Sequence, residues 1–274
     1  MAIGGGLGGG GLILVLAIML LTGQNPAELL DGGTSQGGSE PGMDLSHCET
    51  GADANEHTEC RMVLTADALD VYWEGTMAEQ TRQEYVMPGF EIFTGSVATG
   101  CGSATSAVGP FYCPADSSVY LDLDFFGQLE SQLGATNAPL AQMYIVAHEW
   151  GHHTQSSLGT MASADRQDTG PESDAVRLEL QADCYAGMFV GAAAGTVDPD
   201  SGETFLREPT RDEVASALEA AAAVGDDRIH QGAGQEVSPH TWTHGSAEQR
   251  TRWFTTGYEQ GTLQACDTFA VATP

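Results

Sequence analysis

Lysine is absent from this chain, and positive charge of any kind is scarce. Nine arginines face 38 aspartates and glutamates, which gives a formal net charge of −29 at pH 7. Contact with nucleic-acid phosphates requires many cationic side chains, so this composition excludes a general nucleic-acid-binding protein. For the same reason the chain is a poor candidate for docking on an anionic lipid surface.

Charged residues are also missing from the first 27 positions. An apolar run at 12–21 follows a glycine-rich stretch, and the segment 3–22 has roughly the 20 residues that a membrane-spanning helix needs. A secretory signal peptide is the alternative, but no basic residue precedes the run and positions 22–24 make a poor cleavage site. We therefore predict a single-pass membrane anchor over residues 1–27, with secretion after cleavage as the alternative.

Glycine, serine and proline are frequent after this segment, and residues 28–47 are predicted to be a flexible linker. Hydrophobic residues make up 41% of the 274-residue chain, which is enough for a folded core. The pattern predicts one folded domain over residues 48–274.

All six cysteines lie beyond the predicted linker. An even number of cysteines is typical of disulfide bonding in an oxidising compartment, although the count alone leaves the pairing open. Cys48–Cys60 and Cys101–Cys113 would each close a short loop, which would leave Cys184 to pair with Cys266. This hypothesis places the domain outside the cytoplasm; six buried free thiols in a cytosolic protein are the alternative.

Hydrophobic spacing predicts a small sheet followed mostly by helices, hence an α+β fold. Short strands are predicted at 91–93, 109–113 and 119–123, the last two forming a hairpin, with 120–124 as a possible edge strand for an extended peptide. A first helix is predicted over 62–77, with Thr65 as a possible N-cap. Further helices are predicted over 139–157 (with Asn137 as a possible cap), 173–195, 210–224, and from Ser246 to about 257–261.

Residues 148–152 read His-Glu-Trp-Gly-His within the predicted helix 139–157. An i, i+4 spacing puts His148 and His152 on one helical face, where two imidazoles can bind Zn²⁺. Glu149 lies on the flank of that face, from which its carboxylate can reach a metal-bound water molecule. The motif therefore predicts a zinc site with Glu149 as a general base.

A catalytic zinc site needs a third protein ligand and one open position. Glu179 and Asp183 have an i, i+4 spacing on the predicted helix 173–195, among apolar neighbours. We predict that Glu179 binds the metal and that Asp183 accepts the outer N–H of a zinc-binding histidine. Two solvated surface acids are the alternative in so acidic a chain.

Four stretches of the chain resemble the bacterial putative neutral zinc metallopeptidase family. These are GPFYCPADSSVYLDLDFF at 109–126, AHEWGHHTQ at 147–155, ELQADCYAG at 179–187 and THGSAEQRTRWF at 243–254. The resemblance implies a zincin-like fold, in which one helix carries the HExxH motif, a second carries ExxxD and an edge strand lies above the cleft. It also implies zinc on His148, His152 and Glu179, Glu149 as the catalytic base, and Asp183 as a support for the ligands.

Three further polar residues near these motifs need an interpretation. His244 either hydrogen-bonds the oxyanion of a tetrahedral intermediate or braces the start of the last helix. His153 points about 100° away from His152, so we expect it to have no ligand role. Arg250 is expected to pair with a buried carboxylate.

Together these features favour a membrane-anchored zinc metallopeptidase that hydrolyses peptide bonds through Glu149-assisted attack of a zinc-bound water molecule. Its expected partners are peptide or protein substrates and the membrane, without nucleic acid. The alternative function is an extracytoplasmic binding or envelope-assembly protein in which the zinc is structural or vestigial. A cleft above the metal favours the enzyme, whereas a fourth side chain filling that position favours the alternative.

Overall fold

A computed structural model describes residues 43–274, and this part of the chain has the predicted α+β fold. The predicted anchor over 1–27 and most of the predicted linker lie outside the described residues. None of the helices between residues 43 and 274 has the length and hydrophobicity needed to span a membrane.

Two consecutive helices open the described part of the chain. A capping box between Thr50 and Asp53 starts α1 (Gly51–Glu56), and α2 (Thr58–Gln80) follows directly. The expectation that Thr65 caps a helix is wrong, because α2 begins seven residues earlier and Thr65 is buried within it. The Thr65 hydroxyl donates instead to the carbonyl of Arg61, one turn back.

Five short strands follow and form two sheets. A three-stranded sheet has the order β1 (Gly89–Phe93), β5 (Ser118–Asp122), β4 (Phe111–Cys113), with β1 parallel and β4 antiparallel to β5. In the register of the predicted hairpin, Phe111 lies opposite Tyr120 and Cys113 opposite Ser118. The other two strands, β2 (Ser96–Thr99) and β3 (Gly102–Thr105), form a separate hairpin.

The strand expected at the edge of the sheet lies at its centre. The prediction for 120–124 was wrong because β1 and β4 occupy both sides of β5. The polar residue that suggested an exposed edge, Asp122, is buried, and its Oδ1 accepts the backbone N–H of Asp124 at the start of the next helix. Among the described strands, β1 and β4 are instead the two edges of this sheet.

The remaining helices form the larger part of the core. Helix α4 (Pro139–Leu158) packs against α2, α6 (Asp174–Ala192) and α7 (Arg211–Ala223), and α6 lies between α4 and α9 (Ala247–Gln260). Every residue of α4 from Leu140 to Gln155 is buried, so the predicted motif helix lies at the centre of the domain. These helices are α3 (Asp124–Leu133), α4 (Pro139–Leu158), α5 (Thr160–Ser163), α6 (Asp174–Ala192), α7 (Arg211–Ala223), α8 (Asp226–Gly232) and α9 (Ala247–Gln260).

Most of the predicted helix starts agree with the structure. Ser173 caps α6, and the capping boxes at Thr210 and Ser246 are both formed. Asn137 is an exception: α4 is preceded by Ala138, and Pro139 occupies its first turn. The Asn137 side chain accepts a hydrogen bond from Gln142 instead.

Glycines allow α6 and α9 to approach each other closely. A methyl group added at Gly187 would collide with the carbonyl of Phe254, and one added at Gly257 would collide with the carbonyl of Cys184. The two backbones therefore touch with no side chain between them. This contact brings the Arg250 end of α9 against the acidic residues of α6.

We expect Gly187→Ala to lower the free energy of unfolding by about 3 kcal/mol, because the added methyl meets backbone that cannot move away. Gly75→Ala in α2 is the matched control: nothing lies within 4 Å of its added methyl, so it should stabilise the domain by about 0.5–1 kcal/mol. Denaturant unfolding of both variants checks this. Equal stability of Gly187→Ala and the wild type would contradict the close contact.

All three predicted cysteine pairs lie at disulfide distance. The Cα–Cα separations are 5.0 Å for Cys48–Cys60, 5.8 Å for Cys101–Cys113 and 5.6 Å for Cys184–Cys266. The first two close short loops, and the third joins α6 to the segment after α9. The pairing expected from sequence is therefore confirmed.

Candidate metal centre

The two motif histidines lie one turn apart on the buried helix α4. Their ring centroids are 4.8 Å apart, and both rings face Glu179 on the neighbouring helix α6. His148 Nε2 lies 3.1 Å from Glu179 Oε2, and His152 Nε2 lies 3.5 Å from Glu179 Oε1. The packing of α4 on α6 thus brings together the three residues predicted to bind the metal.

The donor atoms of these three residues fit a zinc ion. All three lie within 4.8 Å of one another. Tetrahedral Zn²⁺ with bonds of about 2.0–2.1 Å places neighbouring donors roughly 3.3 Å apart, close to the observed separations. Two imidazole nitrogens and one carboxylate also match the donor set of catalytic zinc sites.

Asp183 holds His148 in the orientation that a ligand requires. His148 Nδ1 donates to Asp183 Oδ1 at 2.9 Å, so Nε2 is the nitrogen directed at Glu179. Tyr144 donates its hydroxyl proton to the same oxygen at 2.5 Å. Arg250 completes the network: its Nε donates to Oδ2 at 2.8 Å and its Nη2 to Oδ1 at 2.9 Å. Arg250 therefore pairs with a buried carboxylate, as the sequence indicated.

Neighbouring cationic and histidine side chains determine the charge of Asp183 and of Glu179. Burial opposes ionisation of Asp183, but the Arg250 guanidinium and the hydrogen bond from His148 bring the pKa of its carboxyl below the ordinary value. Burial likewise opposes ionisation of Glu179, yet the neighbouring histidines hold its pKa well below the usual range. Glu179 is therefore a carboxylate at neutral pH, which is the form that binds metal.

His152 has its own supporting residue, which the sequence interpretation missed. Its Nδ1 donates to Gln155 Oε1 at 2.9 Å, three residues further along α4. Gln155 is fixed in turn, since its amide donates to the carbonyl of Leu178 at 2.7 Å and to Gln181 Oε1 at 3.1 Å. The i, i+3 spacing from His152 to an amide on a buried helix was the available signal.

We expect Gln155→Leu, which keeps the volume but removes the acceptor, to weaken zinc binding about 10–100-fold, as is typical when a group that orients a metal ligand is lost. The exposed Gln264→Leu is the control and should bind zinc like the wild type. Competition with a chromogenic chelator measures both affinities. An unchanged affinity in a folded Gln155→Leu protein would show that His152 needs no support.

Glu149 lies beside the ligand group with one carboxylate oxygen uncommitted. Burial raises the pKa of its carboxyl, while the neighbouring histidines and the backbone of Tyr112 on β4 oppose the rise. Glu149 Oε2 is buried and has no hydrogen-bond partner among the described residues. Burying a carboxylate oxygen costs free energy unless a hydrogen-bond donor binds it, and a water molecule or a substrate beside the ligand group would do so.

His244 lies on the loop before α9, where it lines a cavity that Glu149 also borders. Asp226 at the start of α8 fixes this loop: its Oδ2 accepts the backbone N–H groups of Thr243, His244 and Gly245 at 2.9, 2.8 and 3.0 Å. Its Oδ1 lies 3.3 Å from His244 Nδ1, which leaves Nε2 free of this contact. Asp226 was missed at the sequence level, because only the folded loop brings it to His244.

His153 and Cys184 lie near the proposed metal-binding residues in sequence but have other partners in the structure. His153 contacts the Tyr112 hydroxyl at 3.3 Å and the carbonyl of Val86 at 2.7 Å, in agreement with the expectation that it is no ligand. Cys184 follows Asp183 but is paired with Cys266, so its sulfur offers no thiolate to a metal.

A cavity of about 50 Å³ lies beside His148 and Glu179 of the candidate metal-binding group, which is room for a few water molecules. Its polar side is formed by Tyr144, His148, Glu149, Glu179, His244 and Arg250. Its other side is largely apolar, formed by residues including Pro110, Phe125, Ile145, Val224 and Ile229. The cavity therefore combines ligands, a free carboxylate and apolar walls in one place.

Comparison with known proteins supplies the family. The sequence profile of the family described as putative neutral zinc metallopeptidase matches residues 1–269. This chain belongs to that family. The family implies Zn²⁺ as the cofactor, and His148, His152 and Glu179 form a group that can hold it.

Similar proteins occur in Mycobacterium tuberculosis and Escherichia coli. The uncharacterized protein Rv2575 of Mycobacterium tuberculosis (strain H37Rv) is 47% identical over 232 residues, covering 85% of this chain and 78% of the relative. The uncharacterized protein YpfJ of Escherichia coli (strain K12) is 34% identical over 267 residues, covering 96% of this chain and 87% of the relative. No solved structure is a significant match.

Proposed function

We propose that this protein is a zincin-like, zinc-dependent peptidase that hydrolyses peptide bonds in the cavity above α4. One observation carries the proposal: Glu149, whose carboxylate has a buried oxygen without a partner among the described residues, borders the same cavity as His148 and Glu179, two of the three grouped metal-binding residues. Ligands alone would suit any zinc protein, whereas a free carboxylate beside them suits hydrolysis.

His148, His152 and Glu179 would hold the zinc ion. Bound zinc would supply a Lewis acid that polarises a carbonyl group and acidifies a water molecule. Asp183 and Gln155 would keep the two imidazoles in the tautomers that present Nε2 to the metal.

Glu149 would serve as the general base and then as the general acid. Its free oxygen would accept a proton from the attacking water molecule, and the same carboxyl would donate that proton to the leaving amine. The raised pKa supports this double role, because a carboxyl with a pKa closer to neutrality both accepts and returns a proton more readily.

His244 would stabilise the negative charge that develops on the carbonyl oxygen. Asp226 holds the ring through Nδ1, so Nε2 can donate a hydrogen bond into the cavity. The structural alternative, in which His244 only braces the start of α9, makes different predictions for kcat and for stability.

Replacing His244 by Ala should lower kcat about 10²–10³-fold with little change in KM, as expected for a donor that acts mainly in the transition state. His240→Ala, an exposed histidine four residues earlier, is the control. Steady-state kinetics and thermal unfolding are measured on both. A loss of stability with kcat intact would assign His244 the bracing role.

An extended peptide substrate would bind along the free edge of β4. This strand lies against α4, and Pro110 just before it borders the cavity. Backbone hydrogen bonds to β4 would hold a peptide irrespective of its sequence, and the apolar wall would favour hydrophobic side chains.

We also propose that the protein is anchored by residues 1–27 with its domain outside the cytoplasm, a placement with which the three disulfides agree.

The binding or envelope-assembly function remains the competing proposal. A purely structural zinc site is closed by four side chains, whereas the group here consists of three. A mixed peptide library incubated with the full-length protein in detergent decides between them. Cleavage that stops on zinc removal and returns on zinc addition supports the peptidase, and no cleavage by a protein containing stoichiometric zinc supports the competitor.

A further inference from the structure

A second group of metal-binding side chains lies at the start of the described chain. His47, His57 and Glu59 each offer one donor atom, and these atoms lie within 4.8 Å of one another. His47 Nε2 is 3.2 Å from Glu59 Oε1, and His57 Nδ1 is 4.0 Å from the same oxygen. None of these residues belongs to the centre on α4 and α6.

Three structural features hold this group together. The Cys48–Cys60 disulfide ties the segment carrying His47 to the first turn of α2, where Glu59 lies. The short helix α1, which begins at a capping box, reverses the chain direction so that His57 lies at the start of α2. The rings of His47 and His57 thus meet edge to face, with centroids 5.2 Å apart.

An ion pair with one histidine accounts for the contact between His47 and Glu59 but not for the approach of His57 to the same oxygen. One protonated histidine would satisfy Glu59, and a second imidazolium at the same oxygen would repel the first. Two neutral imidazoles and one carboxylate instead share a single positive partner when a divalent cation lies between them. The sulfurs of Cys48 and Cys60 are bonded to each other and contribute no ligand.

We propose that His47, His57 and Glu59 form a second site for a divalent transition-metal ion, with Zn²⁺ as the cation that suits this donor set. The side chains are 43%, 48% and 25% exposed, so water completes the coordination and the ion exchanges readily. The bound ion fastens the segment that leads into the domain onto α2, beside the disulfide.

The test is a zinc titration of the full-length, metal-stripped protein by calorimetry, which counts the bound ions at equilibrium. The wild type should bind two zinc ions, and His47→Ala with His57→Ala should bind one. His240→Ala is the control and should bind two, which excludes a general effect of losing a surface histidine. All the substituted side chains are exposed, so folding is expected to survive and is checked by thermal unfolding.

Copper provides an independent readout of the ligands. Cu²⁺ added to the wild type should give an electron paramagnetic resonance signal with nitrogen coordination from this site, and the double variant should lose that component. The proposal is overturned if the double variant still binds two zinc ions, or if the wild type binds one ion that the double variant retains. Neither result depends on peptidase activity, so failure here leaves the proposed function standing.

Discussion

Replacing Glu149 by Gln should reduce peptide hydrolysis at least about 10²–10⁴-fold, the contribution commonly made by general acid–base catalysis, while the zinc content stays at the wild-type level. Glutamine keeps the size of the side chain but cannot accept the proton. Because Glu149 is not one of the three grouped ligands, the metal should be unaffected. Hydrolysis of a mixed peptide library and metal analysis are measured on the same preparation.

The matched control for this variant is Glu259→Gln, which makes the same chemical change on the exposed side of α9. It should retain full activity and full zinc content. If Glu149→Gln hydrolyses peptides as fast as the wild type, the carboxylate is not the base. The binding or envelope-assembly function would then become the better proposal.

Replacing Glu179 by Gln should lower the affinity for zinc, and peptide hydrolysis should fall as a consequence. A neutral amide is a weaker ligand than a carboxylate, and its NH₂ group would face the two histidine nitrogens. We expect zinc affinity to fall by more than the roughly 10–100-fold typical of losing a residue that only orients a ligand. Excess zinc should therefore restore part of the activity of Glu179→Gln and none of that of Glu149→Gln.

The decisive measurement is zinc affinity by chelator competition for Glu179→Gln, Asp183→Asn and the exposed control Glu259→Gln. Affinity should decrease in the order control, Asp183→Asn, Glu179→Gln. If Glu179→Gln binds zinc as tightly as the control, the third ligand lies elsewhere and the proposed metal site is wrong. Thermal unfolding of each variant separates loss of metal from loss of fold.

Local sequence patterns were sufficient to predict most helices and the motif residues. The spacing of His148 and His152 determines a shared face on any α-helix, and Thr210 and Ser246 can cap the helices that follow them because both partners lie within one turn. The three cysteine pairs could also be predicted, since two of them are close in sequence and the third follows by elimination. Apart from the third cysteine pair, whose members are 82 residues apart, a contact between near neighbours carried the information.

Predictions failed where a segment distant in the sequence changes the pairing of a strand or the start of a helix. Residues 120–124 have the alternation of an edge strand, but β1 lies about 30 residues earlier in the chain and pairs with the other side of β5. Thr65 could cap a helix by its chemistry, but tertiary packing extends α2 by two further turns towards the disulfide. Neither the pairing with β1 nor the extension of α2 can be read from the local sequence pattern.

The sequence by itself determined the chemistry of this protein: an HExxH helix, a second helix carrying Glu179 and Asp183, six cysteines in three pairs and an acidic, lysine-free composition. Only the tertiary structure decided which groups support that chemistry. Gln155 orients His152, Arg250 neutralises Asp183, Asp226 positions His244, and β4 lies at an edge of the sheet beside α4. The physical reason is that the spacing of His148 and His152 is set within one helix, whereas most of these contacts join segments that are distant in the sequence. Packing across the whole core brings those segments together.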